Sequence, residues 1–125
     1  MTISDAINEV NNLKPNEYGS EEKIKWLLRL DQQIKQELCD THDYNDGESE
    51  PTLENYDSSH LSTVLLVPAP YDEMYVHYLA AQIDYYNREY DGFQATNAMF
   101  GTCYDSFRNK YNATHRPKTT KKIYF

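Results

Sequence analysis

The sequence has few cysteines, few glycines and no long apolar run. Its 125 residues include two cysteines and four scattered glycines, which make neither a disulfide framework nor a glycine-rich phosphate loop. The longest apolar run, residues 63–67, is far shorter than the roughly 20 residues of a membrane helix. The N-terminus lacks a charged start followed by an apolar stretch. We therefore expect a single domain, made in a reducing cytoplasm, that does not enter a membrane.

Positive charge is scarce and is concentrated at the C-terminus. The net charge is −8, from 20 acidic and 12 basic residues. Residues 1–60 carry 14 acids and five bases, whereas residues 116–125 carry four bases and no acid. The acidic total argues against sequence-specific nucleic-acid binding, although it suits the wall of a channel through which DNA passes. A basic end on an acidic chain is typical of an arm that contacts a partner.

Apolar spacing predicts two helices in the first 40 residues. The first carries Ile3, Ile7, Val10 and Leu13 on one face and ends before Pro15, because the residue before a proline avoids helical backbone angles. The second has Ser20 as its expected cap and runs to about residue 39. Its apolar stripe is interrupted by Asp31, which we expect at the edge of the core with a lysine or arginine partner. Trp26 lies beside the stripe and is expected to be at least half buried.

The middle of the chain lacks a helical period. Residues 40–62 contain seven acids and no lysine or arginine. We expect an exposed acidic surface loop over residues 41–62. A short extended or β segment is expected near residues 53–67: within the loop at residues 53–56, and after it at the β-branched and apolar residues 63–67.

Two further helices are predicted after Pro70. The first should run to about Tyr90, and its apolar arc is so wide that it must be covered on two sides. Asp91 and Gly92 are expected to form a break or a tight link before a last helix of about 20 residues with a heptad-like seam. The seam consists of Phe93, Asn97, Phe100, Tyr104, Phe107 and Tyr111. The prediction is a mostly α fold: a small bundle of about four helices with an extended C-terminal arm.

Residues suited to metal or acid–base chemistry are present, but their spacing is poor. A zinc set and a calcium-like run match no common ligand pattern. Three polar residues on one predicted helix lack a pocket or an oxyanion donor. These sets are Cys39, His42, Cys103 and His115; Asp43, Asp46 and Glu48; and Glu73, His77 and Asp84. We expect a buried cysteine, exposed histidines and a solvated helix face, with no metal, no cofactor and no enzymatic activity.

Four segments carry a recognisable pattern. They are residues 23–31 with Ile34 and Glu37, residues 65–75 (LLVPAPYDEMY), residues 78–89, and residues 98–118. On these segments the chain resembles the head–tail adaptor (connector) proteins of tailed phages, the portal-proximal neck ring of siphophages from Gram-positive hosts. The likeness covers about residues 15–118, and residues 65–75 are its most specific part. The acidic loop and the tail after Lys118 depart from the family's pattern.

The resemblance implies a structural virion protein of the neck, at the head–tail interface, assembled in the host cytoplasm. Such adaptors form a homo-oligomeric ring, a dodecamer, beneath the portal protein. The ring extends the DNA channel and links the capsid to the next neck or tail component, a stopper or tail terminator. DNA passes through without sequence-specific binding. Residues 1–117 would then be the helical adaptor domain and residues 118–125 an extended basic arm.

The resemblance also names the portal as the arm's natural partner. The expected portal-binding residues are Arg116, Lys118, Lys121, Lys122, Ile123, Tyr124 and Phe125. We expect this arm to be disordered in the free subunit and extended against the portal in the assembled neck. The loop acids Asp43, Asp46, Glu48 and Glu50 are expected to line the channel mouth or meet the next ring.

A second function class fits part of the composition. A small acidic regulatory protein, such as a DNA mimic that blocks a nuclease, would explain the net charge and the small size. It would not explain the four bases at the C-terminus or the helix start at residues 68–73.

Overall fold

The structure, a computed structural model, describes residues 1–118. Four helices pack together in it: α1 (Ile3–Leu13), α2 (Ser20–Ile34), α3 (Glu73–Tyr86) and α4 (Tyr90–Thr114). A π-helical turn, Lys35–Cys39, extends α2. Over residues 1–118 the chain forms two isolated β-bridges and no strand, and none of the four helices has the length and apolar character needed to cross a membrane. The predicted mostly helical bundle is therefore confirmed.

Helix α1 begins at a capping box and buries one face against the bundle. The Asp5 backbone N–H donates to Thr2 Oγ1 at 3.1 Å, and the Thr2 N–H donates to Asp5 Oδ2 at 3.0 Å. This reciprocal pair fixes the first turn, because a helix start leaves its N–H groups without partners. Ile3, Ile7 and Val10 are buried as the spacing predicts, whereas Leu13 is 70% exposed at the helix end.

The apolar segment 63–67 lies beside the start of α1 and does not form a strand. The Ile3 N–H donates to the Thr63 carbonyl at 3.0 Å, and the Leu65 N–H donates to the Met1 carbonyl at 2.9 Å. One antiparallel bridge joins Thr2 to Val64. The pairing stops there because α1 begins at Ile3 and turns the backbone into a helix. The β segment expected near residues 53–67 is thus limited to one bridge.

Helix α2 has the predicted extent but a different cap. Gly19 occupies the cap position and makes no side-chain hydrogen bond, while Ser20 is the first helical residue. The predicted helix to about residue 39 is present as α2 followed by the π-helical turn. Leu38 and Cys39 are buried in that turn.

Asp31, the polar interruption in the α2 stripe, is fully buried. Its Oδ1 accepts a hydrogen bond from the Tyr75 hydroxyl at 2.6 Å, and its Oδ2 accepts one from the Tyr56 hydroxyl at 3.0 Å. The Tyr75 hydroxyl also accepts from the Val67 N–H at 2.8 Å. The prediction that Asp31 lies at the core edge with a lysine or arginine partner is therefore wrong. Helix α3 and the acidic loop close over Asp31, and their tyrosine hydroxyls are its partners.

Helices α3 and α4 form an antiparallel hairpin joined by three residues. Aromatic pairs mark its register: Tyr85 contacts Phe93, Tyr78 contacts Phe100 and Tyr71 contacts Phe107. The residue number decreases from 85 to 71 in the first member of these pairs and increases from 93 to 107 in the second, as expected for antiparallel segments. Tyr104, Phe107 and Tyr111 of the predicted seam are buried, while Asn97 is exposed.

The predicted break at Asp91 and Gly92 is wrong, since both residues lie inside α4. Helix α3 ends at Tyr86, and the chain turns at Arg88, whose φ is 61°. Gly92 serves a close helix approach: a Cβ there would lie 3.2 Å from Asp84 Oδ2. Asp84 is fully buried, so the predicted solvated position is also wrong. Its Oδ1 lies 2.8 Å from Lys14 Nζ, and its Oδ2 accepts from Thr96 Oγ1 at 3.0 Å.

Trp26 is buried between two tyrosines, which confirms its predicted burial. It is 4% exposed. Its ring stacks on Tyr86 of α3 with a centroid distance of 5.5 Å, and it meets the Tyr18 ring edge-on at 5.6 Å. The indole therefore joins α2 to the end of α3.

We predict that Trp26→Ala lowers the free energy of unfolding by about 3 kcal/mol or more, because it removes a large buried side chain. The exposed neighbour Lys25 gives the matched control: Lys25→Ala should change stability by about 0.5 kcal/mol or less. Urea denaturation followed by circular dichroism measures both. Equal effects of the two substitutions would contradict the placement of Trp26 in the core.

We also predict that Asp31 makes stability fall as pH rises above about 4. Burial raises the pKa of Asp31, although hydrogen bonds from Tyr75 and Tyr56 partly offset this. The folded chain then holds the proton more tightly than the unfolded chain. The stability that this contributes is complete below the unfolded pKa of about 4 and is lost as pH rises through the raised pKa.

The variant Asp31→Asn replaces the titrating carboxyl group by an amide that does not titrate. Relative to wild type, its free energy of unfolding should therefore increase from about pH 4 to about pH 8. Urea denaturation at fixed pH steps measures the difference, with Asp46→Asn as the exposed control. A relative decrease for Asp31→Asn over this range would show that the tyrosine hydrogen bonds outweigh burial.

Candidate functional site

The start of the acidic loop and the start of the basic arm lie side by side at the end of α4. The Asp43 N–H donates to the Arg116 carbonyl at 2.7 Å, and the Lys118 N–H donates to the Thr41 carbonyl at 2.7 Å. An antiparallel bridge joins His42 to Pro117. We call residues 41–50 and 115–118 the loop–arm surface. It brings the start of the acidic loop beside Arg116 and Lys118, the two described residues of the predicted portal-binding set.

His42 is the buried centre of this surface, so its predicted exposure is wrong. It is 4% exposed. Its Nδ1 lies 2.7 Å from the Leu38 carbonyl, and its Nε2 lies 2.6 Å from Asn112 Oδ1. The imidazole also meets the Tyr111 ring edge-on. These contacts fix the loop to α2 and α4, and both ring nitrogens have protein partners.

The four loop acids are exposed, as expected, and fall into two pairs. Glu48 Oε2 lies 2.8 Å from His115 Nε2, and this contact is the main cause of a lowered pKa of Glu48. Glu50 Oε2 lies 2.9 Å from Lys35 Nζ. Within residues 1–118, no basic side chain forms an ion pair with Asp43 or Asp46. Among the described residues, Asp43 and Asp46 therefore carry their negative charge into solvent without a basic partner, whereas Glu48 and Glu50 each have one.

Two of the seven predicted portal-binding residues belong to the described part of the chain. Arg116 and Lys118 are exposed, although their backbones pair with the loop. The other five predicted arm residues, Lys121, Lys122, Ile123, Tyr124 and Phe125, lie outside the described residues. Arg116 and Lys118, the described residues of this set, therefore lie next to the acidic loop.

A second surface lies at the opposite end of α4, where three tyrosines are uncovered. Tyr85, Tyr86 and Tyr90 are 49%, 50% and 58% exposed, and we call them the aromatic patch. The sequence predicts that the wide apolar arc of α3 is covered on two sides. In the subunit the C-terminal end of α3, at Tyr85 and Tyr86, is only half covered. The 25 residues of α4 separate the two surfaces by about 37 Å along its axis.

A cavity of about 490 Å³ opens beside the loop–arm surface. Its wall combines Ile34 of α2, Leu66 and Pro68 of the segment before α3, and Phe107 of α4. Glu48, Lys110 and His115 supply polar groups to the lining. No local sequence pattern predicts this cavity, because its wall comes from segments that are distant in the chain.

The structure does not gather the metal-like residues of the sequence into a site. Within residues 1–118, no three His, Cys, Asp or Glu side chains lie close enough to hold a metal ion together. Both ring nitrogens of His42 are hydrogen-bonded, to the Leu38 carbonyl and to Asn112 Oδ1. His115 Nε2 is hydrogen-bonded to Glu48. Cys39 is buried, and burial raises the pKa of its thiol.

Comparisons with known proteins give no assignment. No protein-family model, no curated protein and no solved structure matches this chain. The surfaces described above are therefore the basis for any functional proposal.

We predict that neutralising the loop acids leaves the fold intact. The variant Asp43→Asn, Asp46→Asn, Glu48→Gln, Glu50→Gln should lose about 1 kcal/mol or less, because exposed ion pairs contribute little. Tyr56→Phe, in the same loop, should cost about 1–3 kcal/mol, since it removes one of the two tyrosine hydroxyls that donate to buried Asp31. Circular dichroism and urea denaturation compare them. Loss of folding in the four-acid variant would show that these acids are structural.

Proposed function

We propose that this chain is a head–tail adaptor, a structural subunit that forms a ring beneath a phage portal. The ring would extend the DNA channel and join the capsid to a stopper or tail terminator. The observation that carries the proposal is the presence of two unlike surfaces at opposite ends of α4, the aromatic patch and the loop–arm surface. The resemblance of residues 15–118 to adaptor proteins names the assembly.

The aromatic patch can serve as one of the two patches through which neighbouring subunits of a ring contact each other. Identical subunits related by rotation contact each other head to tail, so each must offer two different patches. The aromatic patch is suited to a buried contact, because tyrosine combines a large apolar ring with a hydroxyl that finds a partner. The loop–arm surface is charged and lies about 37 Å away along α4, which leaves it available to the components above and below.

The charge distribution supports a passive channel. Asp43 and Asp46 are exposed and have no ion pair within residues 1–118. Carboxylates on a channel wall repel phosphates, so DNA can pass without being held. The basic arm begins beside these acids, at Lys118, and under this proposal it would reach up to the portal.

The proposal is tested by measuring mass in solution with and without the portal protein encoded by the same genome. An adaptor should bind the portal, form a ring on it and be present in purified virions. A chain that stays monomeric or dimeric with portal and competes with DNA for a nuclease would instead be a DNA mimic. Absence from purified virions would refute the adaptor proposal.

We predict that deleting residues 118–125 weakens portal binding sharply and leaves the helical content unchanged. The last described helix ends at Thr114, so the deletion leaves all four described helices complete. Sedimentation with portal measures binding, and circular dichroism measures helicity. The matched variant Lys25→Ala, on an exposed part of α2, should bind like wild type. Full-strength binding by the deleted chain would place the portal contact elsewhere.

A further inference from the structure

Residues 51–60, in the second half of the acidic loop, are fixed at both ends. Before them, Glu50 Oε2 lies 2.9 Å from Lys35 Nζ. After them, the Ser4 N–H donates to the Leu61 carbonyl at 2.9 Å. Between these two points, no backbone hydrogen bond of the described chain joins the segment to a helix. We call residues 51–60 the strap.

Tyr56 is the one buried residue of the strap, and cavities adjoin it. It is 6% exposed, and its hydroxyl donates to Asp31 Oδ2 at 3.0 Å. It lines a cavity of about 220 Å³ toward residues 63–66 and a second one of about 220 Å³ against α2. Atoms beside a cavity lose packing contacts that a filled core would supply. The hydroxyl of Tyr56 is therefore a large part of what keeps the strap closed.

The carboxyl group beneath the strap has no partner of opposite charge in the described chain. The groups that face Asp31 are the Tyr75 hydroxyl from α3, the Tyr56 hydroxyl from the strap and the Leu66 N–H from the segment before α3. None of them is charged. Lys35, one turn along α2, is paired with other carboxylates. Burial consequently raises the pKa of Asp31, and these hydrogen bonds offset only part of the increase.

We propose that the strap is a pH-controlled cover, which is closed while Asp31 holds its proton and opens around Tyr56 once that carboxyl group is charged. Opening admits water to the carboxyl group, and water stabilises the charged form. The fixed ends at Glu50 and Leu61 confine the movement to the strap, so the loop–arm surface keeps its place. The inference concerns the subunit itself and does not rest on the adaptor proposal.

The sign of the pH dependence follows from the two pKa values of Asp31. In the open form the carboxyl group is in water, where its pKa is about 4, and in the closed form burial raises the pKa. The closed form therefore binds the proton more tightly. Between the two pKa values, each unit of increasing pH favours the open form by up to about tenfold.

Proteolysis of the full folded chain tests the proposal. Chymotrypsin cleaves after tyrosine and needs an open backbone, so cleavage after Tyr56 measures opening of the strap. Tyr75 is fully buried in α3, and cleavage after it measures opening of the helical core, which makes it the internal control. Mass spectrometry gives the initial rate at each bond. Free peptides of residues 51–62 and 70–81 correct for the sequence and pH preferences of the protease.

At about pH 7.5, the corrected rate at Tyr56 should be at least about ten times that at Tyr75. From about pH 5 to about pH 8, the rate at Tyr56 should increase at least about threefold in wild type. It should change by less than about 1.5-fold in Asp31→Asn, whose amide does not titrate. Equal corrected rates at the two bonds, or a wild-type rate at Tyr56 that does not increase with pH, would overturn the proposal.

The variant Tyr56→Phe gives a second measurement, which does not require Asp31→Asn to fold. It keeps the ring and the cleavage site but lacks the hydroxyl that donates to Asp31. At about pH 5, cleavage after position 56 should therefore be about five times faster than in wild type, or more. Glu54→Gln, at an exposed position of the strap, is the matched control and should be cleaved like wild type. A Tyr56→Phe rate equal to that of Glu54→Gln would show that the hydroxyl does not hold the strap closed.

Discussion

The buried carboxylate of Asp31 is the interaction on which the arrangement of the chain depends. A carboxylate inside an apolar core is costly unless hydrogen-bond donors satisfy it. Two tyrosine hydroxyls do so here, Tyr75 from α3 and Tyr56 from the acidic loop. Burial raises the pKa of both phenols, so each remains a protonated donor at neutral pH. Because Tyr75 also accepts from the Val67 N–H, one carboxylate sets the relative positions of α2, α3 and the segment between them.

Two buried side chains of the acidic loop, His42 and Tyr56, anchor it to the bundle. His42 fixes its start to Leu38 and Asn112, and Tyr56 fixes its second half to Asp31. The loop acids Asp43, Asp46, Glu48 and Glu50 take no part in either contact, so their charge is displayed without carrying the fold. A rigidly placed acidic surface of this kind suits a channel mouth or a ring-to-ring contact, where the position of the charge matters more than any specific ligand.

Tyrosine gives this lean core much of its packing and also its open surfaces. Rings from α3 and α4 pair along the helix hairpin, as Tyr78 does with Phe100. The same residue type remains uncovered at the α3–α4 turn, in the aromatic patch, where the bundle provides no further helix. The buried residues of α4, Tyr104, Phe107 and Tyr111, all lie in its C-terminal half, so the aromatic patch lies at the less covered end of this helix.

The sequence by itself determined the helical class, the order of the elements and the exposure of the loop acids, because apolar period, prolines and charge runs act locally. It also placed Trp26 in the core. Tertiary structure decided the rest. Asp31 and Asp84 look like surface residues in the chain, but distant donors, Tyr56 and Tyr75 for one and Lys14 and Thr96 for the other, make their burial possible. Gly92 looks like a break, yet it permits a close approach to Asp84. His42, the cavity and the pairing of residues 41–43 with 116–118 join segments about 70 positions apart, and no local pattern encodes such contacts.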